Sequence, residues 1–294
     1  HEKNLFPTDY TEILQKLAQI EPGRYAATRN FLNGAVTRLS PYISRGVISL
    51  RQTAIAALQQ HRAHEIEKLI QELAWREYWQ RIWQVRGPDI FTDLRTEQQN
   101  VRHRNMVTAL TNAATGIRII DEQIQELYNT GYLHNHLRMY ISSIACNIAG
   151  AHWLQPARWM YYHLLDGDLA SNSLSWQWVA GTFSSKKYYC NQSNINHYTG
   201  TTQEGSFLDH SYETLTRLPL PAVLSGSHPF EACTELPATA PPVIPAGIPV
   251  LLYNSYQLDP CWHAGTTATR ILLLEPSHFN QHPVSPRVLD FILR

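Results

Sequence analysis

The sequence is poor in cysteine, in charge and in long apolar runs, and each shortage removes a class of protein. Four cysteines in 294 residues (Cys146, Cys190, Cys233, Cys261) lie far apart, with no C-x-x-C pair. A compact zinc or disulfide scaffold is therefore unsupported, and reduced thiols in a cytoplasmic protein are expected. No apolar run approaches the roughly 18–20 residues that span a bilayer, so a soluble protein with no membrane contact is expected. Neither G-x-G-x-x-G nor G-x-x-x-x-G-K-S/T occurs, which leaves the common dinucleotide and triphosphate loops without support. Lys+Arg and Asp+Glu number 24 each. A zero net charge argues at first against nucleic acid as a partner. The balance is uneven along the chain, however: residues 1–200 carry 20 basic and 16 acidic side chains, residues 201–294 carry 4 and 8. The tail cancels a mildly basic body.

What is present is helical periodicity. Asp9 and Thr11 precede the 3.6-period run Ile13, Leu14, Leu17, Ile20, and Pro22-Gly23 is expected to end it. Similar patterns recur at 48–60, 64–85, 117–129, 133–150 and 156–165, and no strand-like run precedes residue 200. Eight of the seventeen prolines then fall between Pro219 and Pro249, a stretch that helices cannot cross. Two short apolar runs follow, Val250–Tyr253 and Ile271–Leu274, and Pro286 opens a last helical pattern. These observations predict a mainly α fold. The expected divisions are a helical domain at 1–205, a proline-rich linker at 206–249 and a short α/β-like extension at 250–294, cut off before a sheet is complete. No internal repeat is present. The chain starts at His1 without an initiator Met or a basic-then-apolar leader, and a trimmed chain lacking a secretory signal is the expectation.

Three segments carry unusual chemistry. On a helix, Glu72, Trp75, Arg76 and Trp79 share one face, where a core helix would place Leu or Ile. Indoles with a guanidinium suit stacking and anion binding, although an aromatic core helix with solvated charges has the same pattern. In His134-Asn135-His136-Leu137-Arg138-Met139, Asn135, Arg138 and Met139 fall together, while two histidines at i, i+2 diverge, so no metal site is expected. Arg138 needs an internal partner, and Asp166-Gly167-Asp168 offers one; a plain Asp-Gly turn is the alternative, and an EF-hand lacks its closing Glu. Thr37-Arg38-Leu39-Ser40-Pro41-Tyr42 can cradle a phosphate without glycines, or simply start a helix.

Together and in order, five stretches resemble the flavin-binding helical domain of the photolyase/cryptochrome family. They are T-R-L-S-P-Y at 37–42, E-L-A-W-R-E-Y at 72–78, T-G-I-R-I-I-D at 115–121, T-G-Y-L-H-N-H-L-R-M at 130–139, and L-D-G-D-L-A-S-N at 165–172 with W-Q-W at 176–178. The resemblance covers about residues 20–200 and lacks the family's amino-terminal antenna domain. It implies FAD as cofactor, with Tyr25, Thr37, Arg38, Leu39 and Ser40 at the phosphates and Arg76 and Asn135 in further contact. It puts the Arg138–Asp166 pair against the isoalloxazine, Asp168 at the imide edge and Asn172 facing N5. Asn at that last position suits a photolyase that holds fully reduced flavin.

The same resemblance implies a lesion site for cyclobutane pyrimidine dimers. Glu72, Trp75, Asn135, Met139 and Trp178 would carry catalysis and lesion binding; Arg29, Trp75 and Trp178 would contact the DNA. Asn135 and Met139, in place of the His-rich pattern of (6-4) photolyases, favour the cyclobutane lesion. Flipping a damaged dinucleotide costs a few kcal/mol, and base–aromatic contacts return roughly 1–3 kcal/mol each. Two departures stand out. Trp176 and Trp153 match the first two members of the family's electron-transfer chain, but Asn100 falls where a third tryptophan belongs, with Trp159 or Tyr161 as possible substitutes. His136 replaces a DNA-facing Arg, so the phosphate grip is expected to be weaker or pH-dependent. The expectation is a monomeric, light-dependent repair lyase acting on dimer-containing single- or double-stranded DNA. The alternative is a cryptochrome-like photoreceptor without repair.

Overall fold

The fold is described from a computed structural model, which defines residues 4–294. The helical body begins with α1 (Tyr10–Ala18), α2 (Pro22–Thr28), α3 (Ser40–Ser44), α4 (Leu50–Gln60) and α5 (Ala63–Arg86). Asp9 caps α1, its carboxylate accepting from Glu12 N–H. The first helix stops at Ala18, short of the expected Pro22-Gly23. Pro22 instead opens α2, because a first-turn position needs no N–H and the fixed φ of proline already suits the helix.

After α5 the chain makes a 3₁₀ turn at Gly87–Phe91 and a two-residue strand, β1 (Met106–Val107). It then forms α6 (Thr108–Thr111), α7 (Arg118–Thr130), α8 (Asn135–Ser143), α9 (Leu154–His163), α10 (Leu169–Ala180), α11 (Gln192–Thr199) and α12 (Tyr212–Leu215). The helical pattern at 133–150 is real but not uniform: α8 gives way to a π-helical turn at Ile144–Ile148. β1 corrects the expectation of no strand before residue 200. It pairs antiparallel with β2 (Ser227–His228), so the strand exists only because the proline-rich segment returns to meet it. That segment also sends Leu208, Leu215 and Leu224 into the core.

The tail holds β3 (Val250–Tyr253) and β4 (Thr269–Leu272), which pair in parallel with Val250 opposite Thr269, followed by α13 (Pro276–Gln281) and α14 (Pro286–Leu293). The second strand lies two residues earlier than its apolar run suggested. Parallel pairing with helices beside it is an α/β arrangement.

Two buried clusters hold the molecule together. One, around α7, α8 and α9, contains Trp153, Trp159 and Trp176; the other joins α1, α3, α5 and α14 through Leu17, Tyr42, Leu69 and Val288. α10 spans the gap, giving Trp176 to the first and Leu169 to the second. Each fully buried large side chain contributes about 1.5–3 kcal/mol. The candidate side chains singled out from the sequence lie along this seam, where the helices are fixed from both sides.

Candidate functional site

Asp166 anchors the floor of the site. It lies in the loop between α9 and α10, 5% exposed, and its Oδ2 accepts from Arg138 Nη2 at 2.8 Å. Arg138 is fixed from α8 by a second bond, Nε to the Leu133 carbonyl at 2.8 Å, and lies near the Tyr132 ring. Burial works to raise the Asp166 pKa, but the charge and hydrogen bond of Arg138 outweigh it and hold the carboxyl below its ordinary value. The pair is therefore ionised and internally neutral. Side-chain hydrogen bonds tie α3 to the same point: Ser44 Oγ donates to the Asp166 carbonyl at 2.9 Å, and Arg76 Nη2 donates to Ser44 Oγ at 2.9 Å.

Asp168 caps α10 through Oδ1, which accepts from Ser171 N–H at 2.7 Å, while Oδ2 accepts from Gln80 Nε2 at 2.6 Å. Arg76 and Gln80, one turn apart on α5, thus reach α3 and α10 together. A cavity of about 400 Å³ lies here, with Arg76, Gln80, Asp168 and Ser44 in its wall. A second, of about 370 Å³, is lined by Asn172, Tyr161, Phe91 and Arg158. Asn172 Nδ2 is held on the Ala157 carbonyl at 2.9 Å.

Thr37, Arg38, Leu39 and Ser40 lead into α3. Arg38 has φ of 53°, a left-handed conformation that costs a non-glycine residue about 1–2 kcal/mol and turns its side chain outward. Leu39 is fully buried in the second cluster, and its backbone N–H donates to Thr37 Oγ1 at 3.3 Å. Tyr25 is half-buried, and burial raises its hydroxyl pKa to about 12. Asn135 is exposed, with Nδ2 on the Met139 sulfur at 3.8 Å.

Above this floor is an aromatic rim. Trp75 is 50% exposed and stacks on Trp79, centroids 5.3 Å apart; Trp79 in turn meets Phe183 at 6.0 Å. Trp178 is 40% exposed and leans on Tyr188. Glu72, one turn before Arg76, pairs with Lys68 at 3.0 Å and with Arg29 at 3.6 Å, which brings the expected lesion and phosphate contacts together. His136 faces Tyr198, and its pKa is lowered first by burial and then by Arg29. It adds no positive charge at neutral pH.

The two inner tryptophans are well ordered. Trp153 is fully buried and donates from Nε1 to Asp93 Oδ1 at 2.8 Å, an oxygen shared with His152. Trp176 is buried with its Nε1 unpartnered. Asn100 is exposed in a left-handed turn, φ 59°.

The sequence reading did not single out Ser44, Gln80, Asp93 or Tyr256. Gln80 was recoverable, since it lies four residues after Arg76 on the same face. The others are joined to the site only by distant segments.

The polar atoms at the seam fit a large polar cofactor. Among the described residues seven buried side-chain atoms have no partner, and Asp166 Oδ1, Ser171 Oγ, Arg45 Nη2 and Trp176 Nε1 are four of them, the others being Asn30 Oδ1, His134 Nε2 and Asn147 Oδ1. The family model for the FAD binding domain of DNA photolyase matches residues 69–234. A deoxyribodipyrimidine photo-lyase of Synechococcus is 33% identical over 182 residues, 58% of this chain and 37% of that protein. The Escherichia coli protein of the same name is 30% identical over 217 residues, 68% of this chain and 43% of its own. Among solved structures, a Synechocystis cryptochrome aligns with a TM-score of 0.58 at 24% identity, covering 75% of this chain and 48% of that one. An archaeal photolyase from Sulfolobus tokodaii aligns at 0.56 and 24%, covering 67% and 46%. A cryptochrome DASH of Natronomonas pharaonis is 29% identical over 166 residues. The chain spans less than half the length of these relatives.

Proposed function

The chain belongs to the photolyase/cryptochrome family, and from that premise we propose that it repairs cyclobutane pyrimidine dimers in DNA, in light, as a deoxyribodipyrimidine photolyase. Its cofactor is FAD. The observation that carries the repair reading is the treatment of tryptophan. Of eight, only Trp75 and Trp178 are exposed, and they are the two that the family resemblance assigns to the lesion. Leaving two indoles about half in water forgoes roughly 1 kcal/mol of burial apiece, a cost that stacking on a flipped base offsets.

Reduced FAD supplies the electron that opens the dimer. The protein holds that cofactor through Arg138, Asp166 and Asp168 at the floor, Asn172 beside it, and Tyr25, Thr37, Arg38, Leu39 and Ser40 at the phosphates. Trp75 and Trp178 stack on the flipped bases, Asn135 and Met139 line the pocket, and Glu72 accepts a hydrogen bond from the pyrimidine edge and so orients it. Arg29, paired with Glu72 at 3.6 Å, grips a DNA phosphate. Trp153 passes electrons to Trp176 and so toward the flavin.

The test is direct. Reduced, FAD-loaded protein is illuminated with single- and double-stranded oligonucleotides carrying one thymine dimer, and recovery of thymine absorbance is followed. Recovery is expected in light and not in darkness. No recovery by a loaded, reduced protein would overturn the assignment. A second reading, a cryptochrome-like photoreceptor, is favoured by Asn100 standing where a third tryptophan belongs; it predicts light-dependent flavin chemistry with no thymine recovered.

A further inference from the structure

The C-terminal tail lies outside the residues matched by the family, 69–234, yet it forms part of the site. Asn254, Tyr256 and Asp259 complete the wall of the 400 Å³ cavity that faces Arg76, Gln80 and Asp168. The docking is tight. Leu258 N–H donates to the Arg45 carbonyl at 2.9 Å, and the Tyr256 carbonyl comes so near Gly46 that a Cβ there would lie 2.4 Å from it. Gly46 has φ of +65°, so both its conformation and this approach demand glycine. The Tyr256 ring lies under the Arg45 guanidinium, 5.8 Å from its centroid, with Trp83 edge-on at 6.2 Å.

The hydroxyl of Tyr256 meets that of Tyr161 at 2.9 Å. Tyr161 lines the other cavity, the one beside Asn172, so the two tyrosines stand between the cavities. Burial pushes both hydroxyl pKa values up, and the pair stays neutral. Two hydroxyls sharing one hydrogen bond use one proton of two. The second remains a donor, close to a wall whose Asp168 is an acceptor. A heterocycle with adjacent N–H and C=O groups matches that combination.

We propose that the tail segment 254–259 is an integral wall of the FAD site and that Tyr256 is a positioning residue for the flavin. The inference rests on the FAD reading of the site and adds a contribution from outside the family's domain. It also assigns a role to a segment that sequence alone marks only as a short extension.

The experiment uses the full chain, reconstituted with FAD, in four forms beside the parent. Tyr256→Ala should weaken FAD binding about tenfold, the loss of one well-placed buried contact. Tyr256→Phe should recover most of that affinity but leave the flavin absorption bands and midpoint potential displaced from the parent's, because packing is restored and the hydroxyl is not. Gly46→Ala should weaken binding like Tyr256→Ala with every tail residue unchanged, and it serves in place of Tyr256→Ala if that variant does not fold. Val243→Ser, in the exposed linker, should match the parent. Parental affinity in Tyr256→Ala and Gly46→Ala, with a parental spectrum and potential in Tyr256→Phe, overturns the proposal. A parent that takes up no FAD overturns the FAD reading itself, and this inference with it; a loaded parent with indifferent variants overturns this inference alone.

Discussion

Around Asp166 the one ion pair, with Arg138, is closed inside the protein, whereas around Glu72 the charges face water and the aromatic rings beside them are left half open. The floor is rigid because α3, α5, α8 and α10 converge on it through Arg76, Arg138 and Gln80. The rim is held from one side only, by α5 and the turn after α10. A floor of this kind suits a resident cofactor that never leaves. A rim of this kind suits a ligand that arrives, stacks and departs. The difference predicts that damage to the floor will register in stability and FAD content, and damage to the rim in DNA binding and turnover.

The largest effect is expected at the Arg138–Asp166 pair. Replacing Asp166 by Asn strands a guanidinium in the interior, and breaking a buried pair from one side costs about 3–5 kcal/mol. Chemical denaturation should show that loss, and the purified variant should carry no flavin. Replacing both residues, Arg138→Met with Asp166→Leu, should restore stability without restoring flavin. If the double variant binds FAD as the parent does, the pair is structural and the contrast between floor and rim collapses.

Acid should act on the floor next. Burial, more than the neighbouring charges of His136 and Arg138, lowers His134 to about 4. Between its ordinary pKa and that value the unfolded chain binds a proton that the folded chain refuses. Stability is therefore complete above about pH 6.5 and is lost as pH falls toward 4, by up to about 3 kcal/mol from this residue. Asp166, with its pKa lowered, adds to the loss below the ordinary carboxylate range. Thermal melting between pH 7 and 4 should fall in the parent and fall less in His134→Gln, whose side chain does not titrate.

Much of this architecture was legible in the chain. The helices could be read because their apolar spacing reflects burial that each helix carries on its own face. The Arg138–Asp166 pair could be expected because an arginine on an otherwise apolar face needs a partner. What could not be read depends on segments that meet only after folding. β1 has no strand signal of its own and exists through residues 227–228. Gln80 looks like any polar helical residue until Asp168 is seen beside it. Tyr256, far along the chain, gives no hint that it will lie against Tyr161. The boundary near Pro22 was misread for a local reason: proline ends one helix or begins the next, and periodicity alone does not choose.

At the rim, Trp75→Ala and Trp178→Ala should each weaken binding of a dimer-containing single strand by about 1–3 kcal/mol, one stacked base apiece. FAD content and melting temperature should match the parent, since both side chains are already exposed. Fluorescence anisotropy with damaged and undamaged oligonucleotides reads the loss. An equal loss for the undamaged strand would mean that the indoles grip DNA generally and do not hold a flipped lesion.

Glu72 should give the smallest change in stability and the most informative change in rate. Its pairs with Lys68 and Arg29 are partly exposed, and such pairs contribute less than about 1 kcal/mol. Glu72→Gln keeps the shape and a carbonyl acceptor, exchanges the other acceptor for an N–H donor, and removes the charge that restrains Arg29. DNA affinity should rise slightly as Arg29 is freed for phosphate, while repair per photon absorbed should fall by about tenfold if the carboxylate orients the dimer for electron transfer. The two readouts move in opposite directions, which a residue acting only through general structure would not produce. If repair falls only in step with affinity, Glu72 belongs to the surface electrostatics of the rim, and the chemistry beside it is carried by the indoles alone.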